Sequence, residues 1–315
     1  MAPALDVLVV GELNVDLILN GLPGLPEVGK EILAEAMTLT LGSSSAIFAS
    51  NLASMGAKVG FLGKVGEDLF GELTVRSLVA KGVATDLVLK SREHATGATV
   101  VLNRGEDRAM VTYAGAMEHL TLADITPERL ATARHLHFAS AFLQPGLRPD
   151  LVQLFAMAKG CGLTTSFDPQ WDPAERWDLD LSAILPLVDV FLPNEQEALL
   201  LTGKKELLHA VQVLMPLGNT IVVKQGSRGA TLLAGGQVHS APAYLNREVV
   251  DAIGAGDSFD AGFIHRFIAG DRPEQCLDFG NLMGAVSTTA AGGTGAFKDP
   301  ASTMAIARER FHHGR

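Results

Sequence analysis

Six short apolar runs of β character, interspersed with stretches of helical spacing, constrain this chain more than any other feature. Leu5 to Val10, Val59 to Leu62, Val188 to Leu192 and Thr220 to Val223 are mostly apolar, and His135 to Ala139 and Leu163 to Phe167 join them with histidine, threonine and serine between their apolar residues. Such runs suit strands buried on both faces, whereas a strand with one wet face alternates. Ile47 to Met55, Leu69 to Lys81, Pro149 to Lys159, Glu195 to Leu201 and Glu206 to Leu214 carry helical spacing instead. The pattern predicts an α/β fold, a doubly wound and mostly parallel sheet with helices on both faces. Ligands of such folds gather at the carboxyl ends of the strands. A chain of 315 residues that is 47% hydrophobic can bury a full core, and we read 1–315 as a single domain.

Two pieces break the alternation. Leu17 to Leu41 is rich in glycine and proline before turning strand-like, and Ala98 to Leu102 with Ala109 to Thr112 alternates around the turn Arg104-Gly105-Glu106-Asp107 as a hairpin would. They predict a small separate sheet formed from about 12–41 and 96–115. Within it, Gly24 to Lys30 matches the first seven positions of a phosphate-binding P-loop, but Glu31 stands where a serine or threonine must reach magnesium. Pro23 and Pro26 also remove amides that such a loop needs, so the segment is read as a connection.

The densest chemical signal is Asp251-Ala252-Ile253-Gly254-Ala255-Gly256-Asp257, running into a helix-like stretch from Asp260 to Ala269. Small residues let backbone amides crowd a helix start where an anion can sit, and Asp257 stands at the edge of that site. Transfer of an anionic group to a hydroxyl needs both parts, donors for the charge and a carboxylate for the proton. The formal net charge of −10 argues against nucleic-acid binding. A phosphate ligand would have to be received locally, by amides, a lysine and a divalent cation. No apolar stretch reaches the roughly 18 residues of a membrane span, and Cys161 and Cys276 lie far apart, so a cytoplasmic protein without a disulfide framework is expected.

The Asp251–Asp257 run resembles the signature of the ribokinase, or phosphofructokinase B, family of sugar kinases, with Ala252 where the family usually has threonine. The resemblance implies a ribokinase-like fold with a sheet acting as lid, which often pairs with the lid of a second subunit to form a homodimer. It implies ATP-dependent phosphorylation of a small sugar or sugar acid, with Asp257 as base and Gly254, Ala255 and Gly256 as anion hole. Other segments are similar to family motifs across most of the chain. Gly11-Glu12-Leu13-Asn14-Val15-Asp16 resembles the opening that binds sugar hydroxyls through Asp16 and Asn14. Gly42-Ser43-Ser44-Ser45 resembles a sugar-binding glycine pair, with Ser43 replacing the second glycine and Ile47 the sugar-touching asparagine. An apolar side chain cannot bond a hydroxyl, so either the acceptor is less polar there or Ser43 to Ser45 bind it. Gly66-Glu67-Asp68-Leu69-Phe70-Gly71 matches a further stretch, read as structural.

Asn194 and Glu197 match the Asn-X-X-Glu motif that holds magnesium-bound water, and residues three apart on a helix share a face. Lys224, Gly226 and Gly229 resemble the nucleotide strand and turn, with Lys224 placed to reach ATP phosphates as a point charge. Asn281, on an apolar helix read from Cys276 to Ala291, stands where relatives face adenine or ribose. Asp251 and Ile253 match positions that commonly help bind a monovalent cation such as K+. Two alternatives stay open, a nucleoside kinase and a sugar sensor that keeps the fold without turnover. A sugar-phosphate acceptor is disfavoured, since segments 11–16 and 42–47 supply no arginine or lysine.

Overall fold

The computed structural model describes residues 3–104 and 107–313, excluding the side chains of 104–108. Six parallel strands lie side by side in the order Val59–Leu62, Leu5–Val10, Ala133–Ala139, Thr164–Asp168, Val190–Phe191 and Thr220–Lys224. The antiparallel strands Ala230–Ala234 and Gln237–Ala241 extend the sheet beyond Thr220–Lys224. The first strand shows why the runs are mostly apolar. Val7 and Val9 enter a core with Phe48, Phe61, Phe259 and Phe263, while Leu8 and Val10 enter a second core with Phe138, Phe155, Phe167 and Phe191. Successive side chains point to opposite faces, so both must be apolar. The helices Ser44–Ser54, Ala255–Ile268 and Pro273–Ser287 cover the first face; Leu151–Gly160 and Leu207–Leu214 cover the second.

The sheet positions the site through its winding. From Leu5–Val10 the chain goes to Val59–Leu62 on one side and then crosses to Ala133–Ala139 on the other. Such a reversal of strand order leaves a crevice at the carboxyl ends, and Gly11-Glu12, Ser140 and Asp168 are at that end.

A second sheet, ordered Ala36–Leu41, Asn14–Asn20, Gly97–Arg104, Asp107–Tyr113, is formed from the pieces that broke the alternation. Its register sets Thr40, Asp16, Thr99 and Thr112 in one row and Leu39, Leu17, Val100 and Val111 in the next. Rows one residue apart lie on opposite faces, so the polar row and the apolar row face opposite ways, the polar one sharing its face with Ile18, Val101 and Met110. The connection at 24–31 has no helix and is mostly exposed, in line with the rejection of a P-loop. Residues 105–106 of the hairpin turn fall outside the described residues.

Several boundaries differ from the sequence reading. Only Val190–Phe191 of the run 188–192 is strand. The helix read as Cys276 to Ala291 is Pro273–Ser287, because the glycine-rich segment that follows begins to turn away four residues earlier. The helix read from Asp260 begins at Ala255, which puts Asp257 inside its first turn. Among the described residues no helix is long and apolar enough to cross a membrane.

Candidate active site

A cleft of about 770 Å³ lies between the small sheet and the carboxyl ends of the strands of the large one. It is lined by Asn14, Asp16, Ser43, Ser44, Asn194, Glu197, Lys224, Gly226, Gly229, Asn281 and 252–257, whereas Gly42 and Asp251 stand behind the lining.

The floor is the glycine turn. Gly254 has φ of 72°, and a Cβ there would come within 2.7 Å of Gly293 Cα and 3.0 Å of Ile47 Cγ2. Glycine is therefore required both for the left-handed backbone and for the packing. The helix Ala255–Ile268 starts at once: Ala255 N donates to Ala252 O at 3.3 Å, and Ser258 N makes the first full helical bond, to Gly254 O at 2.9 Å, so the amides between them, of Gly256 and Asp257, precede the helix's own carbonyls. A buried network anchors this start: Ser258 Oγ donates to Gly254 O at 2.7 Å, and Asn51 Nδ2 donates to Ser258 Oγ and Gly293 O, each at 2.9 Å.

Around the turn, carboxyl groups outnumber cations. Asp257 is 8% exposed, and Gln170 Nε2 donates to its Oδ1 at 3.0 Å. Burial and the nearby Asp168 push Asp257 up to about 7, against the pull of Lys224. Lys224 Nζ donates to Asp168 Oδ2 and to Asp260 Oδ2, each at 2.9 Å. Burial alone would lower Lys224, but Asp168, Asp260 and Glu197 outweigh it and hold the ammonium charged. Asp260 is itself raised well above the carboxylate range by burial. The sequence reading placed Lys224 to reach ATP phosphates as a point charge; the structure adds two carboxylate partners that such a reading did not foresee. Lys224 remains beside the turn, since a Cβ on Gly256 would lie 3.8 Å from Nζ.

Asn194 and Glu197 form a capping box at the start of Glu195–Thr202. Asn194 Oδ1 accepts from Glu197 N at 2.9 Å, while Glu197 Oε2 accepts from Asn194 N at 2.8 Å and Oε1 from Asn194 Nδ2 at 2.6 Å. Burial, then Asp168, push Glu197 up to about 8. Among the described residues no group of three or more histidine, cysteine, aspartate or glutamate side chains converges as a metal cluster.

On the opposite wall, Asn14 Nδ2 donates to Asp16 Oδ1 at 3.2 Å and to Thr99 Oγ1 at 2.9 Å. A Cβ on Gly42 would fall 2.2 Å from Asp16 Oδ1, so the missing side chain makes room for this pair. Burial pushes Asp16 up to about 6. The serine run divides in two. Ser43 caps Ser44–Ser54 by accepting from Ala46 N at 2.9 Å and donates to Glu12 O at 2.6 Å, and Ser45 Oγ donates to Glu12 Oε2. Ser44 lies by Asp257 and favours its charged form. Ile47 packs beneath the glycine turn and lines the cleft.

At the far end, Gly229 has φ of 97°, and a Cβ there would meet Ala241 O at 2.0 Å. Asn281 Nδ2 donates to Ala241 O at 3.3 Å, and Tyr244, Leu245, Val249 and Phe259 make an apolar slot beside it. Asp251 Oδ1 accepts from Ile253 N and Oδ2 from Gly292 N, each at 2.9 Å, tying the glycine turn to the segment after Pro273–Ser287.

Sequence reasoning missed Glu12, Asp168, Gln170 and Asp260. Glu12 is 1% exposed, held by Ser43 and Ser45 and raised by burial. Asp168 ends a parallel strand, a position that the carboxyl-end rule could have flagged.

Comparison with known proteins agrees with this geometry. The model of the pfkB family of carbohydrate kinases matches residues 4–299. An ATP-dependent ribose-1-phosphate kinase of Halopiger xanaduensis is 32% identical over 314 residues, covering 97% of this chain and 99% of its own. A 2-dehydro-3-deoxygluconokinase of Bacillus subtilis is 28% identical over 302 residues, 91% of each chain. Ribokinase of Arabidopsis thaliana, solved with ribose and ATP, superposes with a TM-score of 0.83 at 26% identity, covering 98% of this chain and 99% of that one.

Proposed function

The chain belongs to the pfkB family of carbohydrate kinases, and from that premise we propose that it transfers the γ-phosphate of ATP to a hydroxyl of a small sugar or sugar acid, with Asp257 as the base. The observation that carries the reading is the shared cleft: a buried carboxylate in the first turn of a glycine-started helix faces the same space as Asn14 and Asp16. An ionised Asp16 accepts from two hydroxyls at once, as a polyol requires. Lys224 is the only lysine or arginine lining the cleft among the described residues, while Glu12, Asp16, Glu197 and Asp257 line it as acids. That balance favours a neutral polyol over a sugar acid. Trp171, 46% exposed at the rim beside Leu143 and Pro173, also suits a flat apolar group such as the base of a nucleoside, the second reading.

In this mechanism the acceptor hydroxyl oxygen attacks the γ-phosphorus in line, the bond from that phosphorus to the bridging oxygen of ADP breaks, and the hydroxyl proton passes to Asp257. Asp257 orients the hydroxyl and accepts its proton late, since a carboxylate cannot deprotonate a free alcohol in advance. The helix start favours its ionised form by about 0.3–1 kcal/mol. Amides of Ala255 and Gly256, with the ammonium of Lys224 behind them, stabilise the charge on the phosphoryl group. The small sheet closes over the acceptor and excludes water.

The residues fit a magnesium–ATP complex better than a bare metal. Glu197 and Asn194 would hold magnesium through water, and the ion would neutralise phosphate charge. Gly226, Gly229 and Asn281 would flank the nucleotide, with the apolar slot taking the adenine. Asp251 and the Ile253 backbone would hold a monovalent cation such as K+ against the turn. A cytoplasmic location, where ATP is supplied, fits two unpaired cysteines. The outer row Leu39, Leu17, Val100, Val111 would pair with its counterpart in a homodimer, since Val111 is 66% and Leu39 42% exposed.

The test is ADP release with magnesium and ATP across neutral sugars, sugar acids, sugar phosphates and nucleosides. A kinase reading requires acceptor-dependent release; a sensor binds an acceptor, seen as a thermal shift, without release.

A further inference from the structure

Gln170 is held in a backbone conformation that non-glycine residues avoid, directly beside Asp257. Its φ is 60°, two residues beyond the end of the strand Thr164–Asp168. A left-handed non-glycine residue persists only where its surroundings over-determine it, and such outliers gather at functional sites. Gln170 Nε2 donates to Asp168 Oδ2 at 2.7 Å and to Asp257 Oδ1 at 3.0 Å. A primary amide has two hydrogens, so one group serves both carboxylates. The backbone N–H of Gln170 meets Asp168 Oδ1 at 3.3 Å, which holds the turn in place. Asp168 in turn accepts from Lys224, which Asp260 shares. A single line of hydrogen bonds therefore runs from Asp257 through Gln170 and Asp168 to Lys224 and Asp260.

We propose that Gln170 is a positioning residue for phosphoryl transfer: its amide pins Oδ1 of Asp257 and leaves Oδ2 to meet the acceptor hydroxyl. The proposal rests on the kinase reading above and adds to it the residue that aims the base. The chemistry selects an amide. A glutamate here would set a third negative charge between two carboxylates, and a lysine would pair with Asp257 and weaken it as a base. A neutral donor orients the carboxylate without cancelling its charge. The charged groups facing Asp257 are Asp168 and Lys224, from strands that flank Val190–Phe191, Glu12 from the loop after the first strand and Glu197 from the start of Glu195–Thr202. Asp260 joins from its own helix through Lys224. Among them, donation from Gln170 favours the ionised base.

Two variants test the assignment on the full-length protein, with whichever acceptor the ADP-release screen identifies. Gln170→Met keeps the length of the side chain and loses the amide; Gln170→Gly also loses it but accepts φ of 60° without strain. For both, kcat is expected to fall about 10–100-fold, with KM for ATP and for acceptor within about 3-fold of wild type, because the loss is of alignment rather than binding. The acid limb of kcat/KM is expected to move up by about 0.5–1 pH unit, a change a purely structural residue would not produce. Gln170→Gly is expected to keep a Tm within about 3 °C of wild type, since it removes strain. Wild-type kcat and an unmoved acid limb in Gln170→Met, with wild type active, overturn the inference alone. A wild type that phosphorylates no acceptor overturns the kinase reading and the inference together.

Discussion

Replacing Asp257 with asparagine should make the ligand-free protein more stable above neutral pH while removing its activity. The carboxyl of Asp257 is raised from 3.8 to about 7 by burial and by Asp168. The folded state therefore binds this proton more tightly than the unfolded chain. Between those values the folded protein holds a proton the unfolded chain has released, so stability falls as pH rises from about 4 toward 7. Above 7 the whole difference is lost, roughly 2–4 kcal/mol at about 1.4 kcal/mol per unit. An asparagine of the same shape does not titrate and escapes that cost. With about 2.1 cal/mol/K of unfolding entropy per residue, such a difference corresponds to a Tm higher by about 3–6 °C at pH 8. Thermal melts of both proteins from pH 4 to 8.5, without ligands, should show curves that diverge as pH rises. A Tm gap independent of pH, or a variant less stable at pH 8, would refute the argument that Asp257 is a strained buried charge.

Other expectations follow from the same geometry. Asp16→Ala should lower kcat/KM for the acceptor about 10–100-fold by losing charge-assisted bonds to hydroxyls, with KM for ATP nearly unchanged; steady-state kinetics in each substrate would check this. Gly229→Ala should cost about 1–3 kcal/mol, because its Cβ would collide with Ala241 O, and it should also raise KM for ATP. Val111→Glu, on the outer face of the small sheet, should give a monomer by light scattering if that face joins two copies, and no change of mass would oppose the dimer.

Most of the architecture was legible because the parallel strands are covered on both sides, which makes most of their positions apolar. The antiparallel pair Ala230–Ala234 and Gln237–Ala241 was not, since Gln237 to Ala241 is largely exposed and carries a mixed, short pattern. His135 and His137 show how a strand can hide polar groups. Both point inward and share Ser166 Oγ, at 2.7 and 2.8 Å, and burial keeps them neutral. At the site, groups that are neighbours in sequence could be read directly, as Asn194 with Glu197 and the turn 254–257 could. The bonds of Gln170 to Asp257, of Asp168 to Lys224 and of Glu12 to Ser43 and Ser45 could not, because they form only when segments distant in sequence converge. Lys224 shows the same limit, its position at a strand end being readable and its two carboxylate partners not.

The most direct measurement is the rate of phosphorylated product formation by wild type and Asp257→Ala, alongside ATP binding by each. The account predicts a rate lower by about 10²-fold or more with ATP binding retained. Product formed by the variant at close to the wild-type rate would contradict it.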